Sequence, residues 1–430
     1  MLSVPFTPPS EDKGLEPIVV AQTTDKSRRS QVDGGRKAWL TVFGGWLTLA
    51  ATFGYISGFG VYQDFYTTTT TSSSSQISWI GSTQLFFMFF MGVVAGKLLD
   101  LGYFRATTIF GSFLFVFSIF MLSLAHPQKY YQVFLSQGLG MGIGAGLLYT
   151  PAVAIQAHHW RMRRALAMGI VITGSSTGGI FFPIMLNRLF HGSVGFAWGV
   201  RASGFVVLGM LVCANILMSS NPLNENVEVP KPNTKAIFTD APYLMACLAT
   251  FFILWGIFFP YFYLQLYAIL HGMDPTLAFY TLAILNGSSI PGRILPNFYA
   301  DYIGPFNALT PSCFACGVLL IALLGIKSTA STIVFTVLFG FFSGAFLSLC
   351  SPALASLSRS ENEIGIRVGL GLCIVSFGAL TGTPIDGALL GKGFAWSNAI
   401  IFSAVSVLVG SGFMLLSRQL VSRRSGKAIV

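Results

Sequence analysis

The strongest constraint on the fold of this chain is an internal repeat with an offset of 201 residues. The offset relates Asp100, in a short polar break between two apolar runs, to Asp301, which lies in a similar break. It also relates the pair Thr150-Pro151 to the pair Ser351-Pro352. A repeat unit of about 200 residues is too long for a solenoid. It predicts two related halves of one membrane protein.

The composition agrees with a membrane location. Hydrophobic residues make up 53% of the chain and charged residues only 9%, whereas a soluble domain carries roughly 25% charged residues. We therefore predict an all-α polytopic membrane protein with twelve transmembrane helices in two six-helix halves. The apolar runs lie near 38–62, 77–99, 106–125, 131–156, 165–189, 197–218, 242–268, 276–298, 306–326, 331–355, 364–390 and 395–417.

The distribution of charge predicts the topology. If the N-terminus is inside, 20 of the 25 Lys and Arg residues fall on the cytosolic side, as the positive-inside rule requires. Both termini are then cytosolic, and the plasma membrane is favoured over the vacuole or another organelle. The predicted parts are a disordered cytosolic tail, an N-terminal half, a cytosolic connector, a C-terminal half and a cytosolic tail, at 1–36, 37–218, 219–241, 242–417 and 418–430.

Several features weigh against other classes of function. The net charge is +10, but the basic residues lie at the ends of apolar runs, so nucleic acid is not an expected partner. Cys313 and Cys316 have CxxC spacing without further ligands, and we predict neither metal nor cofactor. The pair His158-His159 has no acidic partner nearby, which weighs against an enzyme. The expected partners are the lipid bilayer and a small molecule, and the expected state is a monomer.

Polar residues within the apolar runs are the candidates for function, because their burial in lipid is costly. Arg293 is either an anchor that extends to the cytosolic interface or a guanidinium that holds an anionic cargo. Asp386 is either a water-exposed residue near the outer end of its run or a protonatable group that couples proton movement to transport. The residues that we expect to line a cavity with Arg293 are Tyr55, Gln137, Tyr149, Tyr261, Gln265 and Asn286.

Charged residues at the ends of the runs predict a gate on the cytosolic side. An aspartate at a helix N-terminus, or beside an arginine, can hold two helices together. For this reason we favour a gate over a topology signal alone, although one residue can serve both. The residues assigned to the gate are Asp100, Arg105, Arg163, Arg164, Asp301 and Arg367.

These motifs together resemble a known family. The segment that contains Gly96, Asp100 and Arg105 resembles the cytosolic-loop signature of the major facilitator superfamily. Three further segments are similar to the monocarboxylate transporter family, and the layout is similar to its fungal branch: 33–39, 160–169 and 292–304. The resemblance implies the major facilitator fold and transport by alternating access.

The resemblance also implies a class of cargo. It predicts a secondary transporter for a monocarboxylate or a related organic anion, with a proton as candidate co-substrate. The lactate carriers of the family have a Lys in the first helix and an Asp four residues before the eighth-helix Arg. This chain has no such Lys and has Ser289 at the second position. Alternatives are an exporter of a specialised metabolite, a riboflavin-type carrier and a non-transporting membrane sensor.

Overall fold

The computed structural model is helical, and the residues that it describes include no strand. The first 33 residues of the predicted N-terminal tail and the positions 221–236 of the predicted connector lie outside the described residues. The described residues are 34–70, 74–220, 237–359, 363–391 and 395–430.

Six long helices form the first half of the chain. The first is interrupted near Thr52 and Gly58, and the fourth contains a π-helical stretch, Phe134–Gly140. Apolar side chains around almost the whole circumference suit helices that contact both lipid and other helices. The bounds are Arg36–Thr69 (α1), Gln76–Asp100 (α2), Phe104–Leu124 (α3), Tyr130–His158 (α4), Arg164–Phe190 (α5) and Gly195–Leu217 (α6).

Six more long helices form the second half. Of the twelve, only α8 is too polar to be recognised as a membrane span by length and hydropathy. It carries Asn286, Ser289, Arg293 and Asn297 on buried positions, which lower its hydropathy. The bounds are Ala241–Leu270 (α7), Pro275–Ile303 (α8), Pro305–Leu323 (α9), Thr329–Ser356 (α10), Ile364–Leu390 (α11) and Trp396–Ser425 (α12).

The helix ends differ from the predicted runs at two places. The first helix continues to Thr69, and threonine hydroxyls in its last turns donate to carbonyl oxygens one turn earlier. Thr67 Oγ1 donates to the Gln63 carbonyl at 2.7 Å, and Thr69 Oγ1 donates to the Phe65 carbonyl at 2.6 Å. The last helix continues to Ser425, so the predicted tail from 418 begins as helix.

The two halves meet along two seams, in which α2 packs on α11 and α5 packs on α8. The helix α2 ends at Asp100, and Asp301 lies in the last turn of α8. We call this side of the bundle the aspartate face, and the other side the opposite face.

Glycines bring the α2–α11 seam together. Gly96 lies against the backbone of Gly365, and Gly369 lies against the backbone of Gly92, so a Cβ atom at Gly96, Gly365 or Gly369 would collide with the facing backbone. Small residues at both sides of a contact let two membrane helices approach closely. This seam is therefore held by backbone packing, whereas the α5–α8 seam carries polar side chains.

Candidate functional site

Arg293 lies buried at the centre of the α5–α8 seam. Its side chain is 2% exposed and crosses from the C-terminal half to the N-terminal half. Nη1 donates to the carbonyl oxygen of Ile172 at 2.6 Å and also contacts Oγ of Ser175. Nε has no hydrogen-bond partner, and no carboxylate pairs with the guanidinium, among the described residues. This placement does not fit an anchor at the membrane surface.

Three of the predicted cavity residues join Arg293. Tyr149 from α4 and Tyr261 from α7 lie within electrostatic reach of the guanidinium, and the Tyr261 hydroxyl is 3.1 Å from Oγ of Ser343. Asn286 lies about two turns before Arg293 on the same side of α8, where its amide packs against a glycine of α5. Both halves therefore contribute polar groups to one region.

Other buried polar atoms of this region have no partner within the described structure. The hydroxyls of Thr150 and Ser351, which the repeat relates to each other, are both unpaired. Asn297 donates from Nδ2 to Oγ of Ser348 at 2.6 Å, while its Oδ1 is unpaired. Unpaired buried polar groups are uncommon, and these atoms could hydrogen-bond to a cargo. The repeat, which relates Thr150 to Ser351, is the signal in the sequence that points to these two hydroxyls.

Tyr55 and Gln137 do not lie at the seam. The Tyr55 hydroxyl is 2.5 Å from that of Tyr62 and 2.8 Å from Oγ of Ser203. Gln137 accepts a hydrogen bond of 2.8 Å from Tyr66. All of these groups belong to the N-terminal half. The helical turn of α1 that carries Tyr55 points it towards α6, so its prediction as a cavity residue does not match its placement.

Gln265 lies in a different environment, because its side chain is exposed. It lines a small cavity between α1, α5, α7 and α8, together with Gly58 and Gly179. The structure therefore places Gln265 beyond Arg293, towards the opposite face.

Asp386 is buried inside the C-terminal half. It is 0% exposed, and its Oδ1 accepts a hydrogen bond of 3.0 Å from Oγ of Ser403 on α12. Its Oδ2 has no partner within the described structure. The interpretation of Asp386 as a water-exposed residue is therefore wrong. Its role in proton coupling stays a prediction.

The two aspartates of the predicted gate contact the opposite halves in the same way. Asp100 Oδ2 accepts a hydrogen bond of 2.8 Å from the amide of Ile366 at the start of α11. Asp301 accepts hydrogen bonds of 2.9 Å and 3.1 Å from the amides of Ala165 and Leu166 at the start of α5. Each carboxylate thus binds the N-terminus of a helix from the other half, where the helix dipole favours negative charge.

The arginines assigned to the gate have different partners. Arg105 contacts the carbonyl oxygen of Asn215 at the end of α6 and forms no ion pair with Asp100 in the described structure. Arg164 Nη2 lies 3.5 Å from the carbonyl oxygen of Ala355 in α10, and Arg163 directly precedes α5. Arg163 and Arg164 both lie within electrostatic reach of Asp301 in the other half, whereas Arg105 links α3 to α6.

Arg367 belongs to a buried ion cluster at the aspartate face. Its Nη1 is 2.8 Å from Oδ2 of Asp240, and its Nε is 3.2 Å from Oε2 of Glu363. Asp240 also pairs with Arg424 at 3.1 Å. The guanidinium of Arg367 lies over the ring of Tyr243, 5.6 Å from its centroid. No sequence pattern predicts this cluster, because Asp240, Arg367 and Arg424 are far apart along the chain. The described residues contain no cluster of His, Cys, Asp or Glu that could hold a metal ion.

Comparison with protein families gives one match over most of the chain. Residues 39–357 match the family model described as Major Facilitator Superfamily. Among solved structures, the chain is similar to FucP, the E. coli fucose:proton symporter, in its outward conformation. The TM-score is 0.67 at 16% identity, and the match covers 88% of this chain and 98% of that chain. The predicted twelve-helix fold is thereby confirmed.

Curated relatives are fungal transporters. The chain is 40% identical to the aspyridones efflux protein apdF of Emericella nidulans, over 91% of this chain and 79% of that protein. It is 38% identical to the transporter asaE of Aspergillus flavus, over 90% of this chain and 88% of that protein. It is 35% identical to the agnestins efflux protein of Paecilomyces divaricatus, over 96% of this chain and 94% of that protein.

Proposed function

Because the chain belongs to the major facilitator superfamily, we propose that it exports an acidic specialised metabolite from a fungal cell. It is an integral membrane transporter for a small molecule and not an enzyme. Two relatives that match nearly the whole chain are efflux proteins named for aspyridones and agnestins. Those names favour export of a specialised metabolite over uptake of a monocarboxylate. We also propose that the aspartate face is cytosolic, in the plasma membrane.

One observation carries the acidic part of this proposal. Arg293 is buried between the halves without a carboxylate partner in the described structure. A buried guanidinium is stabilised by an anion that accepts two of its hydrogen bonds. Nη1 contacts the Ile172 carbonyl and Oγ of Ser175, the Tyr261 hydroxyl also reaches the guanidinium, and Nε has no partner within the described structure. An acidic group of the cargo supplies the missing acceptors.

The same contacts connect cargo binding to movement of the halves. Ile172 and Ser175 belong to α5, whereas Arg293 belongs to α8. When an anion replaces them as the partner of the guanidinium, one polar contact between the halves is removed. The cargo then favours the conformation in which the seam is looser, as a ligand must if it shifts a conformational equilibrium. Tyr149 and Tyr261 orient the cargo from the two sides.

The proposal is tested by transport into inside-out vesicles from cells that make the full chain. The panel contains an aspyridone, an agnestin, riboflavin, lactate and pyruvate. We expect the aspyridone and the agnestin to be transported, and Arg293→Gln to lower their transport about tenfold to a hundredfold, which corresponds to the loss of a charged hydrogen bond. Membrane levels of the variant are measured by immunoblot.

Arg201→Gln serves as the matched control. Arg201 is in α6 of the N-terminal half, where its guanidinium lies over Trp198, 4.9 Å from the ring centroid and away from the seam. This variant should transport at the wild-type rate. Unchanged transport by Arg293→Gln would contradict the anion site. Transport of lactate without the larger metabolites would favour the monocarboxylate carrier instead.

A further inference from the structure

On the opposite face, the α2–α11 seam is closed. Ser82 Oγ lies 2.9 Å from Oγ1 of Thr383, which joins the two helices across the halves. Phe86 and Phe90 of α2 pack against Phe377 of α11, with ring centroids 5.3 Å and 6.4 Å apart. A hydrogen bond and a layer of rings therefore hold α2 against α11 along this part of the seam.

The α5–α8 seam is joined by a hydrogen bond of 2.7 Å between Ser176 and Ser289, but it widens further out, near the end of α5 and the start of α8. The two helices enclose a cleft of ≈ 350 Å³, which is within the usual size range of small-molecule sites. Arg188 and Asn187 form its polar part, and rings and aliphatic groups form the remainder. The lining residues are Ile184, Asn187, Arg188, Pro275, Thr276, Phe279 and Tyr280.

The cleft adjoins the cavity that reaches towards the central site. Both spaces are lined by Ile184 and Phe279, and the inner one extends to Gly179 and Gln265. Gly179 packs against Asn286, about two turns from Arg293. Together the cleft and the inner cavity extend along α5 from Arg188 to Gly179, a distance of roughly 13 Å. This path begins at the Arg188 guanidinium and ends about two turns short of Arg293, where a hydrogen bond of 2.7 Å between Ser176 and Ser289 joins α5 to α8.

The chemistry of the cleft selects its occupant. The Arg188 side chain is exposed and forms no ion pair with another residue of the described structure. A guanidinium beside an amide attracts an acidic head group, while Phe279 and Tyr280 on the facing helix offer apolar surface. A molecule with one acidic group and an apolar body complements both parts.

We propose that this cleft is a second binding site for amphipathic organic anions, which the cargo occupies between the central site and the opposite face. The identification of the occupant as cargo rests on the proposed export function. The cleft lies between α5 and α8, so the apolar body of the cargo can pack against Phe279 and Tyr280 while Arg188 holds its acidic group.

Photolabelling of the full chain in phosphatidylcholine proteoliposomes tests the site. The two probes are dodecanoate and dodecanol, each with a diazirine on its alkyl chain, and labelled peptides are identified by mass spectrometry. We expect the acid to label the peptides that contain Ile184 and Tyr280 about two- to fivefold more than the alcohol does, as for an exposed ion pair. Arg188→Gln should remove this preference, and Arg201→Gln should keep it.

The outcomes distinguish failure of the proposed anion site in the cleft from failure of the proposed export function. Equal labelling by acid and alcohol in the wild-type protein would mean that the cleft takes up lipid-like chains without selecting an anion, and would overturn the proposal. Arg293→Gln should keep the preference for the acid at the cleft although it loses export. If the vesicle panel shows no export but the acid preference at the cleft persists, the export function fails and the anion site stands.

Discussion

At the scale of single residues, the repeat shows how the two seams differ. The offset of 201 places Arg293 of α8 at the position that Gly92 holds in α2. Gly92 lets the backbones of α2 and α11 meet, whereas Arg293 fills the corresponding place with a guanidinium. Gly169 of α5 lies against the Arg293 backbone and the Asn297 side chain. The absence of a side chain at Gly169 therefore lets α8 approach α5 at Arg293. One position therefore serves packing in one half and recognition in the other.

A second residue-scale feature is the half-satisfied carboxyl group of Asp386. A buried carboxylate without a cation is costly, so we propose that this group exchanges a proton during transport. We expect Asp386→Asn to transport at a rate that no longer changes with an imposed pH gradient, because the amide cannot bind or release a proton. Ser403→Ala, which removes the hydrogen-bond donor to Oδ1, should keep the gradient dependence. Equal stimulation of wild-type and Asp386→Asn vesicles by the gradient would contradict the coupling role.

The residue types of the site could be predicted from the sequence, but the directions in which their side chains point could not. Arg293 is the one arginine inside the eighth apolar run, so its importance follows from the cost of burying it. Its partners are a carbonyl and a hydroxyl from a helix more than one hundred residues earlier. Tyr55 has the same character in the sequence as Tyr149, yet the break of α1 near Thr52 points it into the N-terminal half. Only the three-dimensional packing decides such directions.

At the scale of helices, the aspartate face is closed by a symmetric pair of caps. Asp100 binds the amide of Ile366 and Asp301 binds that of Ala165, and these two amides are themselves 201 residues apart. Each cap replaces hydrogen bonds that the first turn of a helix cannot form internally. Both caps join opposite halves, so we propose that both break when the aspartate face opens.

The glycine contact beside the Asp100 cap gives a prediction for this element. Gly96→Val would place a branched side chain against the Gly365 carbonyl, so we expect the α2–α11 seam to separate at the aspartate face. Hydrogen exchange of the first turn of α11 should then accelerate by about fivefold or more, because losing a helix cap costs about 1 kcal/mol. Export should fall in parallel.

Gly209→Val is the matched control for this change. Gly209 is in α6 and has open space around the position of a Cβ atom, so it loses the same helix propensity without a collision. In Gly209→Val, the hydrogen exchange of the first turn of α11 and the rate of export should stay near the wild-type values. Slow exchange at α11 in Gly96→Val would show that the seam does not depend on the glycine contact.

At the scale of the whole molecule, the ion cluster around Arg367 connects three parts of the C-terminal half. Asp240 directly precedes α7, Glu363 directly precedes α11, and Arg424 lies in the last turn of α12. Removing one partner of a buried ion pair leaves the other charge without compensation. The cluster therefore fixes the arrangement of these helix ends next to the Asp100 cap.

We expect Arg367→Ala to lower the free energy of unfolding by about 3–5 kcal/mol, because Asp240 would be left buried with only the half-exposed Arg424. Thermal unfolding in detergent, followed by tryptophan fluorescence, measures the loss. Arg424→Gln, at the exposed edge of the same cluster, should cost less than about 1 kcal/mol. Equal stability of the two variants would contradict the central role of Arg367.

The overall fold was more predictable than the site. Long apolar runs and a repeat offset are properties that accumulate over many residues, so Asp100/Asp301 and Thr150/Ser351 sufficed to predict two halves. The cluster of Asp240, Glu363 and Arg424 has no such pattern, since its members meet only after α7, α11 and α12 have packed. The polar helix α8 also shows that hydropathy alone misses the span that carries the central arginine.

The unequal seams have a consequence for how new cargo specificities arise. Along α2–α11, a Cβ atom at Gly96, Gly365 or Gly369 meets the facing backbone, so we expect substitutions there to impair folding or closure. Along α5–α8, Gly169 also meets backbone, but the residues around the two cavities present side chains that can rearrange, so we expect substitutions at those residues to alter selectivity. Libraries for directed evolution are therefore best restricted to α5, α8 and their neighbours in the two cavities. In a duplicated protein of this kind, the α2–α11 seam can preserve the closure of the two halves while the α5–α8 seam is free to diversify.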